Sequence, residues 1–449
     1  SPSFAPGAPG ITFGWGDKIA PRIGFAFDLF GDGKTKIFGS YGRFFDRFKY
    51  ELPRGSFGGN FFRNDYFEIF PGQTISSFNR QTVINTNPDP IGGNCPLPAS
   101  TGLSRCQLDF RIPSNLAGNT LDLGAVDPDI KAFQQSEYTF GLERDLGRGY
   151  FLSSRYTHKQ VDVAVEDIGF ISSTGGEAYI IGNPGFGLAL QQSEANGFIG
   201  LKAVRDYDAA EFRVVKRFGS TAYMDASYTW SRLFGNYAGL ASSDEAGRTS
   251  PNVNRNFDLP FIGFSALGQP DNGLLPTDRP HSFKLAGAYT YDWGGSNATE
   301  FSGFTTITSG TPLTTRFTFE GVGGQILNGR GDLGRTPVFS QTDLAVTHKY
   351  KFGRDNRFTM AFDIDVLNAF NEANVLAVFE GISTRGINFN SGDLNLTENT
   401  QEAIRLYQTT NLSSQIAPFL TGTNQDLRYG LPTTFQGGRS VRFGFRFLF

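Results

Sequence analysis

The chain has 449 residues, with 40 basic and 43 acidic side chains, a net charge of -3, and aromatic residues at 14% against 18% charged. That balance leaves no basic footprint, so nucleic acid is not expected as a partner, and without any run of roughly 18 apolar residues helical membrane spans are excluded. Gly 56, Phe 46 and Tyr 16 are high while Met and Cys occur twice each, which departs from an ordinary globular domain and favours one large barrel over two or three soluble domains.

Ser1 to Gly16 is Gly- and Pro-rich, with neither a charged start nor an apolar centre. No secretory signal is read there, so a protein bound for an outer membrane is expected to be a processed or partial chain. From Arg22 onward the pattern is strand, tight turn, strand, long loop. The first pair, Arg22 to Leu29 and Thr35 to Arg47, turns at Phe30-Gly31-Asp32-Gly33-Lys34. Ile23, Phe25, Phe27 and Leu29 share a face opposite Arg22, Gly24, Ala26 and Asp28. The second strand is ambiguous, since Phe38 and Phe44 oppose Ile37, Tyr41 and Phe45.

A loop of about residues 48–135 follows, rich in Pro, Gly and Asn and without sustained periodicity. Loops this long are usually functional in compact domains and are expected on the outer side of a barrel. Cys95 and Cys106 both fall in it. Such a pair predicts a single disulfide made in an oxidising compartment, with two free thiols as the alternative. His158, His281 and His348 are scattered away from the cysteines, so no metal site is read.

The second pair is Glu137 to Asp145 and Tyr150 to Val161, and the third is Tyr207 to Arg217 and Thr221 to Leu233. The fourth is His281 to Tyr291 and Thr299 to Ser309, and the fifth is Gln341 to Lys351 and Arg357 to Asn368. Long loops at about 162–206, 234–280, 310–340 and 369–437 separate them. In the closing strand from Gly438, Val441, Phe443, Phe445, Phe447 and Phe449 alternate with Ser440, Arg442, Gly444, Arg446 and Leu448. A soluble sandwich also alternates, but here nearly every apolar position is Phe, which suits an outer face against lipid and an inner face against water.

The fold class expected is therefore all-β, an antiparallel transmembrane β-barrel in one domain over 1–449. Eleven strands cannot close antiparallel, and an open edge in lipid leaves backbone groups unpaired. Eleven is half of the number in the plugged 22-stranded transporters, so the missing strands are expected upstream.

Gly31-Asp32-Gly33-Lys34-Thr35 resembles the end of a phosphate-binding loop, but Asp28 stands where a Gly is required and two strands flank it. It is read as a hairpin turn. No Gly-x-Ser-x-Gly elbow or catalytic His arrangement is present, so neither an enzyme nor a cofactor is expected. Charges at inward positions are Arg22, Asp28, Glu137, Glu143, Arg155, Glu211, Arg213, Asp225, Lys284, Asp343, Lys349, Asp363, Asp365, Arg442 and Arg446. Either they pair across strands in a wet lumen, or they form a polar conduit or docking wall for a plug. Phe61, Phe62, Tyr66, Phe67, Phe70, Phe170, Tyr179, Phe186 and Phe198 lie in loops. They either capture a partner or pack the loops onto themselves.

Asp17-Lys18-Ile19-Ala20-Pro21-Arg22-Ile23-Gly24-Phe25 and Gly39-Ser40-Tyr41-Gly42-Arg43-Phe44 resemble the mid-barrel segment of TonB-dependent outer-membrane receptors. Tyr228-Thr229-Trp230-Ser231-Arg232-Leu233, Pro276-Thr277-Asp278-Arg279-Pro280-His281, Ser309-Gly310-Thr311-Pro312 and Asn368-Ala369-Phe370-Asn371 are similar to later segments of that family. The large loops resemble the Oar-like subgroup, whose members carry a carboxypeptidase-regulatory-like domain. The resemblance implies a 22-stranded barrel in a Gram-negative outer membrane, closed by a plug and opened by a TonB-type energising complex, taking up an oligosaccharide, peptide or chelated metal. Its partners would be outer-membrane lipid, the N-terminal half of the same barrel with the plug, and the energising complex. Phe445, Phe447 and Phe449 resemble the terminal signal read by the barrel-assembly machinery. The alternative is a surface scaffold or adhesin whose loops bind surface proteins.

Overall fold

The computed structural model describes residues 13–46, 74, 127, 129–171, 177–239, 255–319, 324–388, 393–394 and 400–449, with the backbone of 63–66 and 106–109. Period-two alternation builds eleven long strands: β1 (Arg22–Asp28), β2 (Thr35–Phe45), β3 (Gln134–Gly147), β4 (Tyr150–Val163), β5 (Arg205–Phe218), β6 (Ala222–Gly235), β7 (His281–Gly294), β8 (Asn297–Thr308), β9 (Phe339–Phe352), β10 (Phe358–Leu367) and β11 (Ser440–Leu448). They form one antiparallel sheet in chain order, with β1 and β11 at its two edges and the short strand Gly273–Leu274 beside β6. Among the described residues the sheet does not close on itself.

All short turns fall at one end of the sheet and all long loops at the other, as a meander of neighbouring strands requires. Asp two residues before a turn Gly recurs as the turn device: the Gly147 N–H donates to Asp145 Oδ1 at 2.7 Å, and the Gly294 N–H to Asp292 Oδ1 at 2.8 Å. In the first turn the Gly33 N–H donates to Asp28 Oδ2 at 2.7 Å, so Gly31-Asp32-Gly33-Lys34-Thr35 is the hairpin link between β1 and β2. Gly149 illustrates the steric demand. It has φ +78, and a Cβ there would lie 2.4 Å from the Arg217 carbonyl oxygen.

The register carries the faces from strand to strand. Phe25 stands opposite Gly39, Gly39 opposite Phe140, Phe140 opposite Tyr156, and Tyr156 opposite Ala210, which faces Trp230. Toward the other edge, Tyr289, Phe301, Val346, Ile364 and Phe443 stand in one such row. The aromatic face is thus continuous from β1 to β11, and it is uncovered: Phe25 is 57% exposed, Phe140 55% and Phe443 80%. A soluble sandwich would bury these rings against a second sheet, so that alternative fails.

The ambiguity in β2 resolves through glycine. Ile37 and Tyr41 share the aromatic face, while Phe38 and Phe44 lie on the polar face. There Phe38 lies over Gly141 and Phe44 over Gly42, with Lys36 5.1 Å from the Phe38 ring centroid and Arg22 4.7 Å from that of Phe44. A Cβ on Gly141 would come within 2.4 Å of the Phe38 ring and 2.8 Å of the Ser154 carbonyl oxygen. Gly141→Val is expected to destabilise the sheet by about 1–3 kcal/mol, read as a lower midpoint of urea unfolding in micelles. An unchanged midpoint would contradict this packing.

Most of the apolar core lies outside the eleven strands, in the long loops. The largest fully buried side chains include Tyr237, Phe264, Phe317, Phe319, Ile404 and Tyr407, and segments from four loops contribute to one cluster. Helix α1 (Gly187–Ala195) and helix α2 (Thr400–Thr409) belong to this cap. In α2, Ala403, Ile404 and Tyr407 turn into the core while Glu402 and Arg405 pair outside. The loops therefore contain hairpins and helices, where reading for period two finds only irregular chain. The first loop contributes a hairpin of Arg63–Tyr66 with Cys106–Asp109. Cys95 lies outside the described residues, and so does the disulfide expected between Cys95 and Cys106. Phe61, Phe62, Phe67 and Phe70, and the side chains of Tyr66 and Tyr179, also lie outside them.

Candidate functional site

The polar face of the sheet gathers charged side chains from many of the strands. The register puts Arg22, Glu137, Glu211, Arg213, Asp225, Lys284, Asp343, Asp363, Asp365, Arg442 and Arg446 together on this face, opposite the aromatic rows. Opposite charges meet across strands: Lys159 Nζ and Glu137 at 3.0 Å, Arg155 and Glu211 at 3.2 Å, and Lys349 and Glu300 at 3.3 Å. Arg213 and Arg446 each grip a carboxylate with two nitrogens, Arg213 on Asp225 and Arg446 on Asp363, the latter at 2.9 and 2.7 Å.

Each of these pairs is partly exposed, so solvent screens it and its contribution to stability is small. Their main consequence is a wettable wall of alternating sign. Between β3 and β6 this wall holds an open cavity of about 220 Å3, lined by Glu137, Arg155, Lys159, Tyr207, Glu211 and Thr229 among others. Such a surface suits a polar or zwitterionic occupant and does not select ions of one sign.

Two of the charges have local structural duties. Asp28 closes the first turn, as described above. Asp343 accepts hydrogen bonds from the Gln341 amide at 2.9 Å and the Asn368 N–H at 2.8 Å, tying β9 to the end of β10.

Two of the short strings prove to be clamps where strands leave the sheet. Arg279 donates to Thr308 Oγ1 at 3.1 Å and the Ser309 carbonyl at 2.7 Å. Asp278, buried, accepts from the Leu233 N–H at 2.6 Å and pairs with Arg335, which also donates to the Gly310 carbonyl. A Cβ at Gly310 would lie 1.7 Å from the Thr336 carbonyl oxygen, so only glycine fits that crossing. Asn368 and Asn371, at φ +50 and +56, form the second clamp. The Asn368 amide donates to the Glu372 and Gly437 carbonyls, both at 2.9 Å, and Asn371 accepts from the Arg439 N–H. Asp278→Ala is expected to cost about 1–3 kcal/mol, because the Leu233 N–H and Arg335 lose a buried acceptor. Asp278→Asn should cost less. Faster amide exchange at Leu233 in the Ala variant checks this, and unchanged exchange would refute it.

In the cap, Phe170 and Phe198 are buried at 3% and 4% exposed, so they pack the loops, while Phe186 remains exposed at 38%. The Gln408 side chain bonds across the cap, accepting from the Ile199 N–H at 2.8 Å and donating to the Pro260 carbonyl at 2.7 Å. The side chains of Arg330 and Asp271, each 1% exposed, pair at 2.9 Å. Burial pushes the Tyr407 hydroxyl well above the ordinary tyrosine range, so it stays neutral. Sequence reading missed Gln408, Arg330, Asp271 and Tyr407. Only the i, i+1, i+4 spacing of Ala403, Ile404 and Tyr407, which puts all three on one helical face, offered a local signal.

A sequence profile described as an outer membrane beta barrel domain matches residues 7–326. The chain belongs to the outer membrane β-barrel family. Its place is accordingly the outer membrane of a Gram-negative bacterium, where an uncovered aromatic face suits contact with lipid. The TonB-dependent transporter Oar of Myxococcus xanthus is 28% identical over 448 residues, covering 97% of this chain and 39% of that protein. The chain thus spans less than half the length of that relative. Among solved structures, the ferric-catecholate import receptor Fiu from K12 E. coli shares 10% identity at a TM-score of 0.36, covering 80% of this chain and 32% of that one. The copper transporter OprC shares 11% at a TM-score of 0.32, with coverages of 79% and 34%.

Rings stand midway along the aromatic face, as Phe25, Phe140 and Phe212 do, and also toward both ends of the strands. Tyr138, Tyr228, Trp230 and His281 lie toward the loop end, and Tyr150, Phe218, Tyr291, Trp293, Tyr350 and Phe447 toward the turn end. Tyr and Trp at the two ends suit a span that meets two interfaces. Phe445 and Phe447, 58% and 45% exposed, belong to the aromatic side of β11, and Phe449 is 89% exposed beyond it.

Proposed function

We propose that this chain is the C-terminal half of a 22-stranded barrel in an Oar-like TonB-dependent receptor, closed by a plug and energised for uptake of an oligosaccharide, peptide or chelated metal. The observation that carries the reading is the pair of open edges, β1 and β11. In hydrocarbon each unpaired backbone group costs several kcal/mol, so further strands must be supplied. An odd count of eleven also calls for an odd number more, and eleven more gives the plugged-lumen class. The likeness to the Myxococcus xanthus transporter supports this, since its length leaves room for a plug and a second set of strands. Arg22, Glu137, Glu211, Arg213, Asp225, Lys284, Asp343, Asp363, Asp365, Arg442 and Arg446 would then line the lumen, where mixed signs favour a docking wall over a charge-selective pore. Phe445, Phe447 and Phe449 would serve as the assembly signal, and Cys95 with Cys106 as a loop disulfide. The test is a cryo-EM structure of the full-length protein with the periplasmic domain of TonB. Supporting it would be β1 and β11 each paired to a strand outside the present chain, with a plug against Arg155 and Glu211. A smaller barrel closed by β1 on β11 would contradict it.

A second reading, an anchored surface scaffold or adhesin, draws on the shared core of the long loops, which suits a pre-formed binding head. Under that reading a protonophore leaves partner capture by whole cells unchanged, whereas energised uptake stops.

A further inference from the structure

Charge on the lipid face is distributed unevenly. At the loop end it carries both signs, including Asp162, Asp206 and Asp208, the last held by Tyr156 at 2.7 Å and His158 at 2.8 Å. At the turn end of β3 to β5 it carries Arg144 and Lys216, with exposed Arg148 in the turn between β3 and β4. Arg144 stands opposite Leu152, and Lys216 opposite Tyr150, so the two cations flank one strand. The Arg144 guanidinium lies 5.6 Å from the Phe30 ring centroid, and Lys216 Nζ lies 3.7 Å from that of Tyr150 and 5.1 Å from that of Phe218. Lys216 Nζ also donates to the Arg148 carbonyl at 2.6 Å, fixing it against the turn.

The nearby carboxylates are engaged elsewhere. Glu143 is on the polar face with Lys36, Asp145 accepts from Gly147, and Asp32 accepts from Lys34. Three cations among exposed rings, at the level where hydrocarbon meets headgroups, call for an anion carried by the membrane itself. Short turns face the periplasm in such barrels, so the adjacent leaflet is the inner one.

We propose that Arg144, Arg148 and Lys216 form a binding site for the phosphate of a glycerophospholipid of the inner leaflet, whose acyl chains lie along Leu142, Leu152 and Val214. Arginine supplies forked donors to phosphate oxygens and lysine a point charge, while the rings shield both from water. The site rests on the outer-membrane assignment alone and stands whether or not the protein transports.

Native mass spectrometry of the full-length protein, with added phosphatidylglycerol or lipid A, tests it. Phosphatidylglycerol is expected to remain bound, and Arg144→Gln with Arg148→Gln and Lys216→Gln to reduce its occupancy about tenfold. Heat-modifiable electrophoretic mobility shows that the variant is folded. Should the triple variant fail to fold, Arg148→Gln alone carries the test, with about a threefold loss expected. Lys216→Arg should retain the lipid. Equal occupancy in the folded variants, or retention of lipid A in preference to phosphatidylglycerol, would overturn the proposal.

Discussion

Phe443→Arg is expected to destabilise the folded barrel by about 2–4 kcal/mol, the cost of a cation on the lipid face near the bilayer midplane. Phe443 lies midway along β11 and is 80% exposed, so its ring has few protein contacts to lose. In a water-soluble protein, replacing so exposed a ring with Arg would be neutral, since surface changes away from special features stay within about 0.5 kcal/mol. The two environments therefore predict different results for one substitution. The neighbouring Gly444 provides the control, since it stands opposite Asp363 on the polar face. A Cβ there would meet Asp363 at 3.3 Å, a contact that side chain can relieve. Gly444→Ser should therefore cost much less than Phe443→Arg in urea unfolding from lipid vesicles. Equal and small costs at both positions would remove the lipid from the argument.

Phe319→Ala should open the cap formed by the long loops while leaving the strands intact. Phe319 is fully buried, with T-shaped ring contacts to Phe261 at 5.9 Å, Phe317 at 5.1 Å and Tyr407 at 5.4 Å. Removing a buried Phe costs about 3–5 kcal/mol through lost transfer energy and the cavity left behind. The strands draw on a separate set of contacts, chiefly neighbour-to-neighbour hydrogen bonds. Proteolysis on intact cells should thus cut the loops of the variant far faster, with heat-modifiable mobility of the barrel retained. Joint loss of both would mean that cap and sheet form one cooperative unit. Unchanged proteolysis would mean that the cap does not depend on this ring cluster.

The strands could be found without the structure because their signal is local. Ile23, Phe25 and Phe27 alternate with Gly24, Ala26 and Asp28 wherever the neighbours lie, and Asp with Gly marks the turn that follows. The face of β2 could not be found that way. Whether Phe38 points to lipid or to the polar side depends on the missing side chain of Gly141 on the next strand, which β2 itself does not reveal. The cap was less legible still. Gln408 bonds to Ile199, 209 residues away, and Tyr407 to the Phe264 carbonyl, 143 away. Nothing in local periodicity reports such partners, and the short α2 offers only two turns of pattern. The strings at Asp278 and Asn368 were visible as strings. Their role as clamps at strand exits appears only once Leu233, Arg335 and Gly437 are brought beside them.

The central claim is that one side of every long strand meets hydrocarbon and the other meets water. Spin labels placed singly at positions 442 to 447 of β11 in the full-length protein in vesicles test it directly, through collision with oxygen dissolved in lipid and with a water-soluble nickel chelate. A period of two is expected, with oxygen dominating at Phe443, Phe445 and Phe447 and nickel at Arg442, Gly444 and Arg446. Nickel access at Phe443 and Phe445 equal to that at Gly444 would contradict it.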